Sequence, residues 1–66
     1  MIVEINNESH HLPSNMTIAE MFEHIKRDTA GIALAINDEV VSKSEWFTKK
    51  LNNHDKVLLI RATQGG

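Results

Sequence analysis

The sequence predicts a small α+β domain, a sheet of about four to five strands with one main helix on one face. Three observations predict it. Apolar residues recur with a period of two at Met1, Val3 and Ile5 and run consecutively from Val57 to Ile60, as strand residues do. A single segment, Ile18 to Ile25, carries apolar residues at i, i+3, i+4 and i+7, the stripe of an amphipathic helix. A chain of 66 residues buries only about 60% of its unfolded surface, enough for one core. One helix covers one face of a sheet, so the other face is expected to stand open.

The elements follow in order. Met1 to Ile5 reads as a half-buried strand, and Asn6-Asn7 supplies residues that tolerate the positive φ of a tight hairpin turn. Ser9 to Leu12 returns as a short second strand, which Pro13 stops because proline cannot donate to a sheet ladder. Thr17 and Glu20 have the spacing of a capping box, so the helix starts there and runs about three turns. Lys26 and Arg27 then fall in its last turn, where they suit the helix dipole, and the helix stops before Gly31. Ala33 to Ile36 is a strand, Asn37-Asp38 a turn and Val40-Val41 a further short strand. Ser42 to Asn53 has no period of its own, and Trp46, Phe47 and Leu51 are expected to plug it onto the core. Asn52 to Asp55 has turn composition, and Val57 to Ala62 forms the last strand.

That last strand carries a functional expectation. One buried face needs only every second residue, so if Val57 and Leu59 point under the helix, Leu58 and Ile60 point to the open face. Ala35 would join them from the neighbouring strand. An apolar cluster left on the surface of a small protein is often a partner surface; the alternatives are that Ser42 to Asn53 folds over it or that Leu58 and Ile60 are isolated surface apolars.

Composition excludes more than it assigns. The hydrophobic fraction of 41% and charged fraction of 24% are those of a folded globular chain. Seven basic against nine acidic residues give a net charge of −2, which is no electrostatic footprint for nucleic acid. The absence of cysteine favours a reducing cytoplasm and removes thiol nucleophiles and Cys-based zinc sites. Neither a signal peptide nor a membrane span is expected, because the apolar runs are short. His10 and His11 would point to opposite faces of a strand, and no metal site or catalytic constellation is expected.

The glycines point elsewhere. Gly31 is placed to end the helix, and the other two, Gly65 and Gly66, stand at the end of the chain. Without a Cβ, a Gly-Gly end threads a narrow channel and brings its backbone close to a nucleotide. Its carboxylate becomes a good acyl donor once ATP converts it to an acyl-phosphate anhydride, from which a sulfur nucleophile can displace the nucleotide.

Over its whole length the chain resembles the thiamine-biosynthesis sulfur carriers, in the β-grasp fold they share with ubiquitin. The likeness is carried by Leu34-Ala35-Ile36-Asn37-Asp38-Glu39, by Val41 through Ser44-Glu45-Trp46, and by the ending Arg61-Ala62-Thr63-Gln64-Gly65-Gly66. The resemblance implies a β-grasp domain over 1–62 with a mixed sheet, whose last strand lies centrally and parallel to the first, and a flexible tail over 63–66. It implies that an E1-like adenylyltransferase uses ATP and Mg²⁺ to adenylate Gly66, that a cysteine desulfurase is the source of sulfur, and that thiazole synthase receives it. Leu58, Ile60, Ala62 and Ala35 would dock on the activating enzyme, while Gly65 and Gln64 give the tail its reach. The chain itself would be a monomeric carrier without a tightly bound cofactor. His54 stands where the family often has glycine, so it would have to accept a positive φ. The rival resemblances are the molybdopterin-synthase small subunit, a ubiquitin-like modifier, and a β-grasp interaction module without tail chemistry.

Overall fold

The computed structural model describes residues 1–61. Strand β1 (Ile2–Ile5) turns back into β2 (Glu8–His11), and helix α1 (Ile18–His24) follows. Strands β3 (Ile32–Ile36) and β4 (Glu39–Val41) form a second hairpin. A 3-10 turn at Lys43–Glu45 leads to β5 (Lys56–Arg61). The strands make one mixed sheet in the order β2-β1-β5-β3-β4. As expected, the last strand is central and parallel to the first, with Glu4 opposite Lys56 and Ile5 opposite Val57.

Asparagines close both hairpins. Asn6 and Asn7 have φ of 49° and 69°, and Asn37 and Asp38 have 50° and 73°. Two consecutive residues at positive φ give the turn whose twist matches that of paired strands. Asn6 also extends the sheet through its side chain. Its Oδ1 accepts from the Leu59 N–H at 2.8 Å, continuing the β1–β5 ladder where the β1 backbone has turned away. His54, as anticipated, lies at φ 69°.

The capping box is present. The Thr17 N–H donates to Glu20 Oε1 at 2.8 Å, and the Glu20 N–H donates to Thr17 Oγ1 at 3.2 Å. The Thr17 N–H, and after it the Thr17 hydroxyl, hold the Glu20 carboxyl below the usual carboxylate range. The next N–H groups of the first turn are satisfied from the aperiodic segment: Ile18 donates to Lys49 O at 3.1 Å and Ala19 to Trp46 O at 2.9 Å.

The helix is shorter than its apolar stripe suggests, seven residues instead of about three turns. Ile25 is its C-cap and Lys26 follows at φ 55°. The Lys26 N–H donates to Glu23 O and the Arg27 N–H to Phe22 O, so a Schellman motif closes the helix with lysine in the position glycine usually takes. Lys26 and Arg27 therefore lie just beyond the last turn. Gly31 does not end the helix; at φ 69° it turns the chain into β3.

The core lies between α1 and one face of the sheet. Val3, Ile5, Ile18, Met21, Phe22, Leu34, Val57 and Leu59 are buried there, and Trp46 and Leu51 pack the 42–53 segment onto them. The Trp46 ring stacks on Phe22 with centroids 4.8 Å apart, and its Nε1–H donates to Val41 O at 3.2 Å. Phe47 corrects the sequence expectation. It is 74% exposed, because the turn that seats Trp46 points its neighbour outward.

A polar knot ties the β3–β4 turn to the start of β5. Asp55, buried, accepts from Asn37 Nδ2 at 3.0 Å and from the Asn52 N–H at 2.8 Å. Asn37 Oδ1 in turn accepts from the Lys56 N–H at 3.0 Å.

Candidate functional site

The face of the sheet away from α1 is open, and β5 divides its side chains as the alternation requires. Val57 and Leu59 are 1% and 6% exposed, whereas Leu58 and Ile60 are 46% and 50% exposed. Strand register then builds a patch. Val40 of β4, Ala35 of β3 and Leu58 of β5 stand in one cross-strand row, and Ala33 stands beside Ile60 in the next. Ala35 belongs to this face and not to the core cluster, yet it is only 9% exposed, since a methyl between Leu58 and Val40 is screened by both.

The patch has a polar margin. Where β5 begins, Asn6, Asn7, Asp38 and Lys56 join Ala35 and Leu58 around a shallow depression of about 360 Å³. Glu4 stands in register with Lys56 on the same face. An apolar centre with a charged rim is the anatomy of a protein-docking surface. It is rigidly presented, because β5 is hydrogen-bonded to neighbours on both sides.

Of the residues proposed from sequence, Leu58, Ile60 and Ala35 are thus brought together on one face. Ala62, Gln64, Gly65 and Gly66 lie outside the described residues, as does the expected boundary between 62 and 63. Val40, 82% exposed, was not singled out from sequence. The same reasoning that separated Leu58 from Leu59 finds it, since Val40-Val41 is a consecutive apolar pair on a strand and Val41 is the buried member.

His10 and His11 are on opposite faces of β2, His10 opposite buried Val3 and His11 opposite exposed Ile2. No group of three His, Asp or Glu side chains converges to hold a metal ion among the described residues. None of their helices is long and apolar enough to cross a membrane.

Known proteins place this geometry. The sequence profile of the ThiS family matches residues 2–66. The sulfur carrier protein ThiS of Escherichia coli (strain K12) is 29% identical over 66 residues, covering the whole of both chains. The crystal structure of a thiamine biosynthesis protein (ThiS) from Geobacter metallireducens superposes with a TM-score of 0.88 at 17% identity, again over the whole of both chains. The solution structure of a thiamine biosynthesis protein from the same organism gives a TM-score of 0.76 at 17% identity, covering all of this chain and 88% of that one. At that identity the two structures establish the fold, which is the β-grasp.

Proposed function

The chain belongs to the ThiS family, and from that premise we propose that it is a sulfur carrier for thiamine biosynthesis, with the carboxylate of Gly66 as its working group. In this reading the chain catalyses nothing and serves as co-substrate to other enzymes in the cytoplasm. The open face, with Leu58, Ile60 and Ala35 at its centre, Val40 on the edge strand and Ala62 as a further contact, docks on an E1-like adenylyltransferase. Gln64 and Gly65 give Gly66 the reach to enter that enzyme's active site.

The chemistry is an exchange of one carboxylate oxygen for sulfur. The Gly66 carboxylate attacks the α-phosphorus of ATP, held with Mg²⁺ by the activating enzyme, and pyrophosphate leaves. A persulfide, formed when a desulfurase moves the sulfur of cysteine onto an enzyme thiol, then attacks the acyl carbon of the adenylate through its terminal sulfur. AMP departs with the original oxygen, leaving an acyl disulfide whose S–S bond a dithiol reductant cleaves; the thiocarboxylate is released and the dithiol is oxidised to a disulfide. Thiazole synthase takes the sulfur and the carboxylate is regenerated. Glycine suits both residues at this end, because any Cβ would obstruct close approach to the nucleotide.

The observation that supports the reading best is the reach of the family match, which runs through Gly65-Gly66 to residue 66. The test is mass spectrometry after incubation with ATP, Mg²⁺, cysteine, a desulfurase, a dithiol reductant and the activating enzyme. Oxidation of any of the three methionines adds nearly the mass of an oxygen-to-sulfur exchange, so the product is first cleaved after Arg61. The released peptide, Ala62 to Gly66, contains no methionine. Sulfur on that peptide is expected. An unmodified peptide, with an activating enzyme proven on its own carrier, would favour a β-grasp interaction module instead. Deleting Gly66 is expected to abolish sulfur uptake without changing the melting temperature, because the core cluster lies between Val3 and Leu59. A lower melting temperature would make the end of the chain structural and weaken the carrier reading.

A further inference from the structure

On the helix side of the sheet, α1 and the segment after the 3-10 turn enclose a groove of about 560 Å³. Its floor is aromatic, formed by the stacked pair Phe22 and Trp46. Phe47 stands on its edge with 74% of its surface in water. Lys26, Arg27 and Lys43 also line the groove, together with Glu23 and Asp28. Among the described residues none of these three cations forms an ion pair; Lys43 Nζ instead lies 5.7 Å from the centre of the Trp46 ring. Three cations against two carboxylates give the rim a net charge of +1, opposite in sign to the −2 of the whole chain.

We propose that this groove is a second docking site, which takes an acidic segment of a protein partner bearing one apolar side chain. The apolar side chain covers Phe47, while flanking carboxylates pair with Lys26, Arg27 and Lys43. The helix dipole accounts for cations after α1, but it gives no reason to leave a phenylalanine in water beside them. The groove is open along one side, which suits a side chain presented by another protein better than an enclosed small molecule. It is also on the opposite side of the sheet from Leu58 and Ile60. Its occupant therefore leaves the open face free, and two partners can hold the chain at once.

The test uses the full ¹⁵N-labelled chain and a blocked pentapeptide, one leucine between two pairs of glutamates. Saturable amide shifts are expected at Ala19, Lys26, Lys43 and Phe47, weakening as salt is raised. Phe47→Ser is expected to lower the affinity roughly tenfold, and so is the pair Lys26→Glu with Lys43→Glu. The two variants act through different forces, so misfolding of one leaves the other decisive. The proposal is overturned by an absence of saturable shifts, by an equal response to the lysine counterpart of the peptide, or by shifts centred on Leu58 and Ile60. Occupation of the groove by AMP where the peptide does not bind would overturn it as well, in favour of a nucleotide site. No sulfur chemistry enters the readout, so this proposal and the carrier reading fail separately.

Discussion

Ile60→Asp separates docking from folding. Half of the Ile60 surface is already in water. Full burial of an isoleucine is worth about 1.5–3 kcal/mol, so about 1 kcal/mol of packing is at stake. Aspartate in a strand adds a propensity cost of about 1 kcal/mol. The sum, about 2 kcal/mol, is to be set against a total stability of roughly 3–10 kcal/mol for a domain of this length. The variant therefore remains folded, with a melting temperature lowered by roughly 8–16 °C. Binding should suffer more. A carboxylate placed at the centre of an apolar interface is expected to cost at least about 2 kcal/mol, or roughly thirtyfold in Kd for the activating enzyme. Leu59→Ala is the reversed control. At 6% exposure it should lose about 2–5 kcal/mol of stability while leaving the docking face intact in the molecules that remain folded. Calorimetric titration against the enzyme and thermal melts of both variants complete the assay. Unchanged binding by Ile60→Asp, or a loss of stability above about 4 kcal/mol, would refute the assignment of faces.

Other outcomes follow from the fold. The Asn37–Asp55 bond joins a charged acceptor to an amide at a part-buried site. A double-mutant cycle with Asn37→Ala and Asp55→Ala should show a coupling of about 1–2 kcal/mol in urea unfolding, and a value below about 0.3 kcal/mol would deny the knot its role. Lys26→Gly should raise stability by about 0.5–1 kcal/mol by relieving positive φ, whereas Lys26→Ala should not; a destabilising glycine would count against the Schellman geometry. The lowered pKa of Glu20 has a defined sign. Its contribution is complete above the ordinary carboxylate value and is lost as pH falls through the lowered folded value. Melting temperatures of Glu20→Gln and the parent should therefore converge on acidification, and a constant gap at every pH would be contrary to this.

Much of the fold and half of the face were legible because alternation and turn chemistry are local. Consecutive apolar residues in β5 must divide between two sides of a sheet, and Leu58 and Ile60 did so. Asn6-Asn7 and Asn37-Asp38 announced their turns because few other residues accept positive φ. The failures arose where residue type does not report the deciding contact. The apolar stripe continues to Ile25, but the helix ends there through a Schellman motif on Lys26, and lysine is not a stop signal. Phe47 lies in a segment without a period, where apolar character does not determine direction. Ala35 was placed on the correct face, but its screening depends on Val40, a residue of another strand.

The strand order has a mechanical side. The first and last strands are immediate neighbours and run parallel, tied by Glu4 N–H to Asp55 O and Asn6 N–H to Val57 O, each at 2.9 Å. The Ile2 N–H reaches Asn53 Oδ1, the His54 N–H reaches Ile2 O, and the Leu59 N–H reaches Asn6 Oδ1. Tension that draws the two ends of the chain apart slides β5 along β1, so these bonds bear the load together in shear instead of opening one at a time like a zip. A force applied along β5 away from the start of β1 thus meets the sheet at its stiffest.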